Sequence, residues 1–220
     1  MTRKNTKAVE VSFRDTCNAI AQDRVDAMIL AIEESFARRD TFEGAAALDS
    51  SSSYAKNRNA VLANKVAVAR FFCALNVTAA GVIERKVSAT KMFNAKALKK
   101  IVELSRFAVL GERKIENVMK AFVFCSLAFD GAISNATNKN FLSNLDFSQI
   151  VNDSDLASYL ADYQHAFISG GKDTQSSQAR NVLDVLGLGS IVNCENRSRG
   201  GIELHRDHAF FADFNTAFRK

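Results

Sequence analysis

The chain has 220 residues, enough for one large domain or two small ones, with 47% hydrophobic and 24% charged residues and a formal charge of +5. It contains no Pro and no Trp; without Pro to stop them, long helices that end at Gly or Asn are expected. No stretch approaches the roughly 18 continuous apolar residues of a membrane span, and Cys17, Cys73, Cys125 and Cys194 form no C-x-x-C pair, which excludes a zinc ribbon and a disulfide framework.

The basic start, Thr2 to Lys7, is followed by an amphipathic pattern and not by an apolar signal core. A cytoplasmic chain with reduced thiols is therefore expected. Phe13, Cys17, Ile20, Val25, Met28, Ile32 and Phe36 recur at helical steps and predict one helix over 13–38, with Ser12 and Asp15 as a capping pair. Residues 41–57 lose that periodicity and contain four consecutive serines, so a linker is expected there.

A second helix is predicted over 58–75 and a short one over 78–86. Asn94 should cap a third, with Leu98, Ile101, Val102, Leu104 and Val109 as its apolar stripe and Gly111 as its end. A fourth, 115–129, carries Ile115, Met119, Phe122 and Cys125, and should pair with the third as an antiparallel helical hairpin. Residues 85–120 hold seven Lys and three Arg against three Glu, a net of +7. The positive charge of the whole chain is therefore concentrated in its middle.

After Gly131 the sequence becomes rich in Asn and Ser, then acidic over 146–173. Ser154 starts a helix with Leu156, Tyr159, Leu160, Tyr163 and Phe167 on one face. Thr174 to Leu186 predicts another, burying Ala179, Val182, Leu183 and Leu186. Residues 190–195 and 201–206 read as two strands of a hairpin, and 209–214 as a third strand. The expected fold class is mainly α, with a helical N-terminal and middle region and a small α+β C-terminal unit. The division expected is 1–40 N-terminal helix, 41–57 linker, 58–131 basic helical domain and 132–220 C-terminal domain.

Helix, turn, a helix ending in L-x-x-L-G-L, and a hairpin with a basic tip: this order, carried by TQSSQARNVLDVLGLGSIVNCENRSRGGIEL (174–204), resembles the winged helix-turn-helix superfamily. The resemblance covers about a quarter of the chain. It implies that the helix from Thr174 is a recognition helix, with Gln175, Ser176, Gln178, Arg180 and Asn181 facing base edges and phosphates. It also implies that Arg197 and Arg199 form a wing tip. From Thr174 to the end, however, six Lys or Arg face five acids. Phosphate neutralisation supplies most non-specific affinity for DNA, so such a unit needs help, and Lys96, Lys99 and Lys100 are the candidates.

An enzyme is not expected. His205 and His208 form an H-x-x-H without a third ligand, His165 stands alone, and no G-x-S-x-G, Walker or G-x-G-x-x-G pattern occurs. No catalytic residue, metal or cofactor is therefore assigned. The first reading is a DNA-binding regulator or replication-type factor, dimeric on double-stranded DNA. The alternative is a helical oligomeric assembly or scaffolding protein, such as one associated with a viral capsid. The lack of Pro and the Asn-, Ser- and Ala-rich style suggest a phage or mobile element. Phe210, Phe211, Phe214 and Phe218 serve either the core or a docking strip for a protein partner.

Overall fold

The computed structural model describes residues 11–88, 91–128, 157, 173–192 and 201–219. The fold is mainly α-helical with a small antiparallel hairpin near the C-terminus. The first helix, α1 (Phe13–Asn18), is capped by Ser12, whose hydroxyl oxygen accepts from the Asp15 N–H. The single helix expected over 13–38 is interrupted at 19–21, and α2 (Gln22–Glu43) follows. The break is filled from elsewhere in the chain. The Arg70 guanidinium donates to the carbonyl oxygens of Asn18 (3.0 Å) and Ile20 (3.3 Å), which satisfies acceptors that a helix end leaves open.

The expected linker is folded. Residues 41–57 hold the end of α2, a 3-10 turn (Ala45–Leu48) and the start of α3 (Ser53–Ala63), which Ser52 caps. The helix expected over 58–75 is two, α3 and α4 (Lys65–Leu75), divided at Asn64, whose side chain donates to Ala60 O and accepts from Arg106. Then come α5 (Ala79–Ile83), the short antiparallel pair β1 (Lys86–Ser88) and β2 (Lys91–Met92), and α6 (Ala95–Leu110). Asn94 caps α6, and Gly111 ends it at φ +74°, a conformation that glycine adopts without a Cβ penalty.

Beyond α6 lie α7 (Asn117–Ala128), α8 (Asp173–Val185), β3 (Gly189–Val192), β4 (Gly201–Leu204) and α9 (Ala209–Phe218). The strands β3 and β4 pair antiparallel, with Gly189 opposite Leu204 and Val192 opposite Gly201. Instead of a simple α6–α7 hairpin, α8 packs against both helices and also contacts β3. The helix expected from Ser154 lies outside the described residues, apart from Ala157.

The third strand expected over 209–214 is α9. Phe210, Phe214 and Phe218 stand four apart, the step that stacks side chains on one helical face. All four phenylalanines of α9 are buried, so they form core and no docking strip. Phe210 lies 5.9 Å from Phe13, 6.0 Å from Phe71 and 5.9 Å from Phe107, centroid to centroid, and Phe107 stacks on Phe218 at 5.7 Å. The C-terminal helix thus closes on α1, α4 and α6. Buried apolar residues from Phe13 to Phe218 form one continuous cluster.

One buried cation organises the opposite side. Arg39, 1% exposed, donates to Ile83 O (2.9 Å), Phe93 O (2.5 Å) and the Glu43 carboxylate (2.9 Å), and lies over the Tyr54 ring. Its bond to Phe93 O fixes the chain one residue before the Asn94 cap.

His208 caps α9 by accepting from the Phe210 N–H at 3.2 Å. Burial, and secondarily the nearby His205, hold its pKa below the ordinary 6.5. Between that lowered value and 6.5 the unfolded chain binds a proton that the folded chain does not. Its contribution to stability is therefore complete above about pH 6.5 and is lost as pH falls through the folded value. Urea unfolding should show stability dropping between about pH 7 and about pH 5, and His208→Asn, which keeps a cap acceptor, should flatten that slope. An unchanged slope would contradict the assignment.

Candidate nucleic-acid interface

Lys96, Lys99 and Lys100 fall in the first turn and a half of α6, at three- and four-residue steps that place them on neighbouring faces. They differ sharply in environment. Lys96 is exposed, the Lys99 side chain is 53% exposed, and Lys100 is 1% exposed. A buried ammonium needs a counter-charge, and Glu116 supplies it: Lys100 Nζ lies 2.6 Å from Oε2, and Lys99 Nζ 2.5 Å from Oε1.

The Glu116 backbone N–H donates to Glu103 Oε2 at 2.8 Å, which ties the entrance of α7 back to α6. Burial pushes the Glu116 carboxyl up, but the hydrogen bonds from Lys100 and Lys99 outweigh it, and the net shift is downward. Burial, reinforced by the Glu116 charge, raises Glu103. The hydrogen bond to Glu116 raises Lys99.

Lys96, Lys99, Lys100 and Glu116 line a cleft of about 300 Å³ together with Ser53 and Asn57 of α3 and Gln178 of α8. Ser53 is the first residue of α3 and Lys96 the second of α6, so the amino-terminal turns of both helices meet at the cleft. Neither first turn carries an acidic residue. Helix N-termini carry partial positive charge and favour anions. Gln178 is 5% exposed, and its Oε1 has no hydrogen-bond partner.

Four residues expected to contact nucleic acid, Lys96, Lys99, Lys100 and Gln178, are therefore brought together. Along α8 every side chain from Ser177 to Leu186 is buried or half-buried, Arg180 and Asn181 among them. The reason is packing: α6, α7 and β3 all pack against the helix. Gln178 and Lys100 are walls and floor of the cleft, not surface contacts. Gln175 and Ser176 lie in the first turn of α8, with side chains outside the described residues, as are Arg197 and Arg199 of the expected wing tip.

The basic middle is also partly neutralised within the fold. Arg85 pairs with Asp184 at 2.8 Å and Arg106 with Glu112 at 2.6 Å, while Lys96, Arg113 and Lys114 remain exposed. Sequence reasoning did not single out Glu116, Ser53 or Asn57 for the site. The serine run disguised the start of α3, and no local pattern marks a carboxylate 16 residues beyond Lys100. Among the described residues no three His, Cys, Asp or Glu side chains gather as a metal site, and no helix is long and apolar enough to cross a membrane. Comparison with protein-family models, with curated proteins and with solved structures found no match.

The different environments of the lysines give a direct check. Lys100→Ala leaves the half-buried Glu116 with Lys99 alone, and should cost about 2–3 kcal/mol, somewhat less than loss of a fully buried partner. Lys96→Ala should stay within about 0.5 kcal/mol of the parent. Urea denaturation of both variants measures this, and equal effects would contradict the described pairing.

Proposed function

We propose that the protein is a non-catalytic nucleic-acid-binding protein that holds double-stranded DNA by its phosphates at the cleft formed by the amino ends of α3 and α6. The observation that carries this reading is the convergence of two acid-free helix N-termini with the accessible ammonium groups of Lys96 and Lys99. The succession α8, β3, β4 supports the winged-helix likeness, but with its described middle and end covered α8 serves as a wall of the site. Contacts to phosphate position a protein without reading bases, so the binding proposed is only weakly sequence-selective. Two copies on one duplex would double the few phosphate contacts that each supplies.

A second reading, an assembly or scaffolding role, is favoured by a different face. Val66 (49% exposed) and Leu110 (57% exposed) line an apolar groove of about 500 Å³ with Leu62, Ala67 and Val109. Neighbouring exposed apolar side chains of this kind suit a protein partner.

Fluorescence anisotropy with a labelled random duplex separates the two. Two phosphate contacts per cleft should weaken binding about tenfold between about 50 mM and about 200 mM salt. The Lys96→Ala/Lys99→Ala double variant should lose most of that dependence. Binding that ignores salt, or that the double variant leaves intact, removes the phosphate reading. A self-associated mass in the absence of DNA, together with no duplex binding, would favour assembly.

A further inference from the structure

The cleft is small and walled by three helices, which bears on the kind of phosphate it accepts. We infer, building on the nucleic-acid reading above, that it is a site for a phosphomonoester, supplied by the terminal phosphate of a nucleic-acid strand. An internal phosphodiester carries one negative charge and continues into a sugar on both sides, so it gains less from a small cationic cleft than a group that ends there. A terminal phosphate carries about 1.5 to 2 negative charges at neutral pH and continues on one side only.

The lining suits such a group in three ways. Lys96, Lys99 and Lys100 stand against Glu116 in the lining and Glu103 behind Lys99 at 3.6 Å, a net of +1, so attraction grows with the charge of the ligand. Lys100 stays with Glu116 as the buried floor, while Lys96 and the half-exposed Lys99 face the opening. Ser53 Oγ accepts from Asn57 Nδ2 at 3.3 Å and keeps its own proton to donate.

Gln178 points most directly to a ligand. It is a nearly fully buried amide on the cleft wall whose oxygen bonds to nothing, and buried polar groups are ordinarily satisfied. A half-turn about its terminal torsion presents the amide N–H groups to a phosphate oxygen without moving the backbone. As it stands, the oxygen accepts a P–OH of the singly protonated form.

The test compares blunt duplexes of one sequence, with 5′-phosphate or 5′-hydroxyl ends, by anisotropy, and adds deoxyadenosine 5′-monophosphate as a free probe in calorimetry. The 5′-phosphorylated duplex should bind about tenfold tighter, as charge-assisted hydrogen bonds to one added group allow. Ser53→Ala and Lys96→Met, both at exposed positions, should each reduce that preference and leave the parent's melting temperature. Equal affinity for both ends, with no binding of the mononucleotide, overturns the inference and leaves the nucleic-acid reading standing. Equal affinity for both ends with mononucleotide binding lost in Lys96→Met supports the phosphomonoester site and names a free nucleotide as its source. No binding of any probe overturns both.

Discussion

Lys100 sits where α3, α6 and α8 meet, and an ammonium that is 1% exposed needs a counter-charge beside it. Glu116 meets that demand, and much of the site follows from it. Its second oxygen holds Lys99, its backbone N–H binds Glu103, and its carbonyl oxygen accepts from the first turn of α7. A comparable constraint fixes the other approach to the same helix. Arg39, equally buried, donates to Phe93 O and so sets the residue before the Asn94 cap. Two buried cations thus define where α6 begins and what lies beneath its first turns.

The packing around this point also fixes how much of α8 is left open. A helix that enters a groove needs a free face. Here α8 packs against α6, α7 and β3, and gives its Asp184 to Arg85. With the phenylalanines of α9 in the core as well, the C-terminal segment is fastened to the rest of the molecule at several points. Among the described residues, the rim of the cleft and the apolar groove by Val66 and Leu110 are accessible surfaces of opposite chemistry that underlie the two functional readings.

Local signals in the sequence were read well where the structure depends on local chemistry. The caps at Ser12 and Asn94, the end at Gly111 and the β3–β4 hairpin each rest on a few adjacent residues. Distant partners were not legible. The break after α1 depends on Arg70, some fifty residues away, and the division at Asn64 on Arg106. The run 209–214 is apolar enough to suit strand or helix, and only the four-residue spacing out to Phe218 decides it. In the site, the lysines were visible as a basic cluster, but their unequal burial was not. Nor was a polar Gln178 at an inward position, since polarity argues for the surface until tertiary packing overrides it.

Lysine acetylation footprinting, read by mass spectrometry with and without a saturating random duplex, tests the central claim most directly. If the cleft is the contact surface, Lys96 and Lys99 become protected while the half-exposed Lys65, in the separate groove by Val66, keeps its reactivity. Lys100 should react slowly in both states because it is buried. A duplex that binds and leaves Lys96 and Lys99 as reactive as before would place the contact surface elsewhere and contradict the account.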